Sequence, residues 1–186
     1  MPGVGPVHEG FRVEEGVIGP QIDQGGDSAG GGGDGMRIYL DVSCLDRPFD
    51  DQWQSRIRLE TEAIAIVFHW FETGVWQHVS SEVVLVEIAA MPDLERRRRV
   101  SALLPDSDRI IALSAPILTR AESLIEMGFK PADAAHVAAA EAQRANVLLT
   151  CDDRLVRLAR RMRGRLAVEV DNPLSWIRKH EDAQNT

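Results

Sequence analysis

Arg37-Ile38-Tyr39-Leu40-Asp41 is the stretch whose reading decides the fold: a short run of β-forming residues that ends abruptly on a carboxylate. Its counterpart lies far down the chain at Val147-Leu148-Leu149-Thr150-Cys151-Asp152-Asp153, a second apolar run stopped by acids. Runs this short and this continuously apolar suit strands buried on both faces, as in a parallel sheet. Between them the period changes. Over residues 52–73, Trp53, Ile57, Ile64, Val67, Phe68 and Phe71 recur mostly at helical spacing, with Asp51 placed to cap the helix and Gly74 to stop it. Residues 75–79 read as a second strand, and Ser80-Ser81 as the cap of a helix ending at Met91, ahead of Pro92. A polar helix over 93–104 and a third strand over 109–113 follow. Helices over 116–127 and, opened by Pro131, over 132–144 lead to the fourth strand at 147–150. A helix over 153–162, a fifth strand over 167–170 and a helix over 173–180 complete the pattern. Strands alternating with helices predict an α/β fold: a three-layer α/β/α domain whose parallel sheet is covered on both faces.

A chain of 186 residues suits one such domain. Most of its 15 glycines, including the run Gly30 to Gly33, fall in residues 1–35, together with six acids, one base and Phe11 as the sole aromatic. That composition predicts a disordered tail over 1–35, a folded domain over 36–180 and a short disordered end over 181–186. Met36 is read as a candidate translation start. The net charge of −8 therefore belongs mainly to the tail. A nearly balanced body argues against a broad basic surface for nucleic acid, although acids gathered in one pocket produce the same total. No apolar run approaches the roughly 18–20 residues needed to span a bilayer, and the start lacks a signal-peptide pattern, so a cytoplasmic protein is expected. Cys44 and Cys151 are too few for a zinc site or a disulfide framework. They read as reduced packing thiols that meet near neighbouring strand ends.

The acids carry the functional reading. Asp41, Asp152 and Asp153 stand at the carboxyl ends of the first and fourth strands, the place where open parallel sheets bind ligands. A single aspartate there is ordinarily a helix cap; coincidence at two strand ends points to a shared site. Glu87 is the one polar residue in Val83-Val84-Leu85-Val86-Glu87-Ile88-Ala89-Ala90-Met91. A carboxylate on that face loses several kcal/mol of hydration unless a cation compensates, and either a metal or an arginine would do so. Glu82, turned away in the same helix, reads as structural in the first turn. Asp133 is the sole acid at the head of Ala134-Ala135-His136-Val137-Ala138-Ala139-Ala140, with His136 one turn on, read as a packed or supporting histidine. Hard oxygen ligands without a converging Cys or His set select Mg²⁺ or Mn²⁺, the ions of phosphoryl chemistry. Clustered carboxylates repel, so replacing any one by its amide is expected to leave stability unchanged or raise it.

In order and context, Asp41-Val42-Ser43, Leu85-Val86-Glu87-Ile88, Asp133-Ala134-Ala135-His136 and Leu148-Leu149-Thr150-Cys151-Asp152 resemble the motifs of PIN-domain ribonucleases. The chain resembles their VapC-like branch over roughly residues 36–172. The resemblance implies a five-stranded parallel sheet of order 3-2-1-4-5, single-stranded or structured RNA as substrate and Mg²⁺ or Mn²⁺ as cofactor. For the toxin branch it implies dimerisation and a cognate antitoxin. Carried over by position, Asp41, Glu87, Asp133 and Asp152 form a catalytic, metal-holding quartet, with Asp153 as a further candidate ligand and Ser43 and Thr150 as supporting hydroxyls. Arg154 and Arg157 are the best placed to meet RNA phosphates, while the run Arg96 to Arg99 reads as a solvated helix face. Two rivals remain at this stage. One is a PIN-like module that binds RNA or protein without cutting; the other is an aspartate-nucleophile phosphatase, which needs a second Asp where Ser43 stands.

Overall fold

Strand β1 (Met36–Leu40) pairs in parallel with β2 (Trp76–Ser81) on one side and with β4 (Val147–Leu149) on the other. β3 (Ile110–Ile111) and β5 (Glu169–Asp171) extend the two edges, giving the order β3-β2-β1-β4-β5 with every pair parallel. This is the order the resemblance implies. The computed structural model from which it is taken describes residues 35–184, with side chains through His180. The glycine-rich segment expected to form a disordered tail lies, apart from Gly35, outside the described residues.

The central strands are apolar because both their faces are covered. Ile38, Tyr39, Leu40, Val147, Leu148 and Leu149 are all buried. Alternation then sends successive side chains to opposite helical layers. On one face, His78 of β2 stacks on Phe71 of α2 (Ser55–Glu72), with ring centroids 4.7 Å apart. That layer includes α8 (Pro173–Gln184), whose Trp176 meets Trp76 at 5.0 Å. On the other face, Tyr39 points to His136 of α6 (Pro131–Ala142), which packs with α5 (Ala115–Glu126) and α3 (Glu82–Ala89). Three short or amphipathic helices complete the set: α1 (Val42–Asp46), α4 (Leu94–Ser101) and α7 (Asp153–Arg161). No helix of the described residues is long and apolar enough to cross a membrane.

Several boundaries differ from the sequence-based expectation, each for a local reason. α2 begins at Ser55, so Asp51 does not cap it. Asp51 Oδ1 instead accepts the Trp53 N–H, closing a turn that leaves Trp53 outside the helix and 96% exposed. Gly74, at φ +74°, does end the helix, in the left-handed region that favours glycine. Ser81 occupies the cap position of α3 but gives its head no side-chain bond, because its hydroxyl meets the Tyr39 hydroxyl at 2.6 Å. β3 shortens to two residues at the sheet edge. The closing helix, expected to stop at His180, continues to Gln184, since nothing in Glu181-Asp182-Ala183-Gln184 breaks it.

Candidate metal centre

The order of the strands reverses between β1 and β4, and there the chain turns two carboxylates into one crevice. Asp41 follows β1 directly. Its N–H donates to Leu149 O at 3.0 Å, continuing the ladder, and its extended backbone makes it the cap of α1. The side chain is buried, and Oδ2 accepts the hydroxyls of Thr150 at 2.6 Å and Ser43 at 2.8 Å. Each hydroxyl is itself positioned by a backbone donor, Asp152 N to Thr150 Oγ1 and Cys151 N to Ser43 Oγ. The two hydroxyls therefore lock the carboxylate plane. Oδ1 is left toward His136, whose Nε2 stands 3.6 Å away.

His136 is buried and spans the crevice floor. Its Nδ1 meets the Tyr39 hydroxyl at 2.9 Å and its Nε2 meets Glu87 Oε2 at 3.1 Å. Burial opposes the imidazolium form, but the bond to Glu87 and the carboxylates of Asp41, Glu87 and Asp133 outweigh it, raising the His136 pKa above its ordinary value. Burial pushes the Tyr39 phenol far up, so it stays a neutral hydroxyl. Glu87 is thus compensated by a histidine, and its side chain keeps one third of its exposure. Asp41, Glu87 and His136 offer ligand atoms that all lie within 4.8 Å of one another.

Asp133 and Asp152 border this group without joining its tightest set. Burial raises the Asp133 pKa, and the charges of Asp152 and Asp41 add to it against Lys130 and Arg154. Asp133 Oδ2 is buried without a hydrogen bond, and Arg154 Nη1 stands 3.6 Å from it. Asp152 caps α7, its Oδ1 accepting Arg154 N at 2.7 Å. Asp153 departs from its expected place in the metal set: Arg56 grips both its oxygens at 2.6 Å and holds its pKa below the usual carboxylate range. Of the two adjacent acids, Asp152 is the one whose charge reaches Asp133. A divalent cation fits this donor set, since carboxylate oxygens and one imidazole converge beside a buried carboxylate oxygen that lacks a donor.

Arg154 and Arg157 are both exposed on the first two turns of α7, beside the acids. The run Arg96 to Arg99 is more than a solvated face. Arg96 bridges Asp46 and Asp50, which accounts for the acids in the segment after α1. The sequence reading passed over Glu60, a buried acid of α2. Its Oε1 accepts Arg56 Nε at 2.9 Å and Asn172 Nδ2 at 2.8 Å, and Arg47 Nε lies 2.9 Å from Oε2. A signal was present, because Glu60 sits three residues after Ile57 and four before Ile64, on the apolar stripe. Cys44 and Cys151 do meet, as free thiols with sulfurs 3.8 Å apart.

Comparison with known families matches residues 39–161 to the PIN domain. Comparison with curated proteins finds no match.

Proposed function

Because the chain belongs to the PIN domain family, whose members are generally metal-dependent nucleases, we propose that it is a cytoplasmic endoribonuclease using Mg²⁺ or Mn²⁺, the toxin of a type II toxin–antitoxin pair. The observation that carries the reading is the crevice at the ends of β1 and β4. There Asp41, fixed by Ser43 and Thr150, shares a space of 4.8 Å with Glu87 and His136. Asp41 and Glu87 would hold the ion, with Asp133 and Asp152 completing its surroundings. A divalent ion held by these residues would supply positive charge to acidify an attacking water and offset the charge on the leaving oxygen of a phosphodiester.

The remaining work falls to the chain's own groups. Thr150 and Ser43 prevent Asp41 from rotating, so its Oδ1 is presented in one direction. Tyr39 fixes the His136 ring through Nδ1, and His136 in turn orients the Glu87 carboxylate. Arg154, 3.6 Å from Asp133, and Arg157, exposed one turn on in α7, would meet backbone phosphates of the RNA. A second copy of the chain and a cognate antitoxin are the expected partners.

The reading is tested by assaying RNA cleavage with Mg²⁺, Mn²⁺ and chelator for the wild type, Asp41→Asn, Glu87→Gln and the control Glu82→Gln. Glu82 serves as control because its carboxylate lies outside the crevice, where it accepts the Leu113 N–H at 2.8 Å. Cleavage that survives unchanged in Asp41→Asn and Glu87→Gln would remove these residues from the site. The toxin role is checked in the genome, where a short neighbouring frame encoding a DNA-binding antitoxin is expected; co-expression of its product should suppress cleavage.

A further inference from the structure

Trp53 is 96% exposed, whereas Trp70, Trp76 and Trp176, the other three tryptophans of the chain, are buried. An indole offers the largest apolar side chain, and leaving nearly all of it in water is unusual outside binding surfaces. It is not displayed on a loose loop. Gln52 Nε2 donates to the carbonyls of Arg47, Pro48 and Asp50 at 3.1, 3.4 and 2.9 Å, and Asp51 Oδ1 accepts the Trp53 N–H. The backbone of the turn that carries the indole is therefore braced to the segment that follows α1, which limits the backbone order left to be gained when a ligand arrives.

The next residue, Gln54, lines a groove of about 400 Å³ that runs along α2 and α7 to Cys151 and Asp152. Arg47, Arg56, Arg154 and Arg157 also line it. Arg47 and Arg56 are engaged by Glu60 and Asp153, and Arg154 stands 3.6 Å from Asp133; both Arg154 and Arg157 project from α7 on exposed side chains. The groove thus ends at Asp152, on the border of the metal centre, and at Gln54, the residue next to Trp53 in the chain. An aromatic face next to guanidinium groups is what an unpaired nucleotide requires, the base stacking and the backbone phosphates meeting arginine. A base inside a duplex has both faces covered by its stacked neighbours.

Resting on the nuclease reading above, we propose that Trp53 is a stacking platform for an unpaired base of the RNA strand that enters the metal centre along the Arg154–Arg157 groove. Trp53 is thereby a specificity residue for single-stranded substrate, not a catalytic one. With Glu60 and Asp153 taken up by Arg47 and Arg56, the exposed guanidinium groups of Arg154 and Arg157 beside an indole favour a partner that carries both phosphates and aromatic bases over a protein partner.

The test measures binding, separately from cleavage. Full-length protein in chelator is titrated with a single-stranded oligouridylate and with a blunt RNA duplex, following tryptophan fluorescence and, independently, the anisotropy of labelled RNA. Stacking quenches Trp53 on the single strand, and Trp53→Ala weakens that binding about fivefold or more, a loss typical of one stacked base. Trp53→Phe restores most of the affinity, the melting temperature stays that of the wild type, and duplex binding does not change. Equal single-strand affinity in wild type and Trp53→Ala overturns the proposal, as does an absence of measurable single-strand binding. If Trp53→Ala instead shifts only the monomer–dimer equilibrium in sedimentation, the indole belongs to a protein interface and the proposal is again overturned. Cleavage in Mg²⁺ is scored apart: its absence with a Trp53-dependent affinity intact sinks the nuclease reading alone.

Discussion

Asp41→Asn and Asp133→Asn are expected to move stability in opposite directions while both lose cleavage. The Asp41 carboxylate is well supplied with donors. Oδ2 accepts two hydroxyls whose own oxygens accept backbone N–H groups, and which stand 3.2 Å from each other, so the charged oxygen is the strongest acceptor within their reach. An asparagine can keep its single oxygen there, but its amide nitrogen then faces Ser43 N at 3.5 Å and His136 Nε2 at 3.6 Å, both of which met an acceptor before. Two charge-assisted bonds become neutral ones, a loss on the order of 1 kcal/mol each, partly offset by removing a charge beside Asp133. A net loss of about 1–2 kcal/mol lowers the Tm of a chain this size by roughly 3–6 °C.

Asp133 is in the contrary position. Burial and the charges of Asp152 and Asp41 raise its pKa, so the folded protein binds a proton there that the unfolded chain has already released. The resulting penalty grows as pH rises from the unfolded value near 4 through the folded value, and is complete above it. Asp133→Asn removes the penalty and melts at or above the wild type at pH 7, an advantage that vanishes below about pH 4. Each variant loses cleavage by about a hundredfold or more, and the double variant is little worse, because the groups act as one unit. Melts in chelator at pH 7 and pH 4, alongside cleavage in Mg²⁺, measure all of this. An Asp41→Asn variant that melts no lower than the wild type, or an Asp133→Asn variant that melts lower at pH 7, would refute the reasoning. Neutralising an acid of the site without loss of stability is therefore expected at Asp133 and not at Asp41.

Glu60→Gln removes one partner of a buried ionic network and is expected to cost about 2–3 kcal/mol, at the low end for such pairs because Arg56 is half exposed. Chemical denaturation checks it, and an unchanged midpoint would mean that the network contributes nothing net. Asp171 is buried against Lys179 and Arg160; its pKa is lowered because Lys179, Arg160 and the Asn172 N–H outweigh the opposing effect of burial. Its contribution is fully present above the unfolded value near 4 and is lost as pH falls through the lower folded value. Asp171→Asn should therefore destabilise at pH 7 and flatten the acid limb of the Tm profile; a parallel downward shift at every pH would show that its charge is not the cause. Replacing Cys44 and Cys151 together by Ala removes two buried sulfurs that touch each other. About 1–2 kcal/mol of stability should be lost with cleavage retained, whereas loss of metal-dependent cleavage in a folded double variant would place a thiol in the chemistry.

By itself the sequence determined what depends on neighbours along the chain. The apolar runs at Ile38-Tyr39-Leu40 and Val147-Leu148-Leu149 announced buried parallel strands, Gly74 and Pro131 marked helix ends, and Asp41, Glu87, Asp133 and Asp152 stood out because each interrupts an apolar context. Those signals act within a turn or a strand, so they are legible in one dimension. The partners of the acids are not. Thr150 reaches Asp41, His136 reaches both Tyr39 and Glu87, and Arg56 reaches Asp153, each across scores of residues. Burial, carboxylate orientation and competition between donors were decided only when the sheet set β1 beside β4 and α6 beneath α3. The same applies to His136, read in the sequence as a packed or supporting histidine: only tertiary placement set its ring between Tyr39 and Glu87, within 4.8 Å of the Asp41 and Glu87 ligand atoms. Trp53 carried the opposite error: its spacing put it on a helix face, and a turn closed by Asp51 put it in water. A hydrophobic pattern says what can be buried, whereas only the packed chain decides what is, because burial depends on which distant surface arrives to cover it.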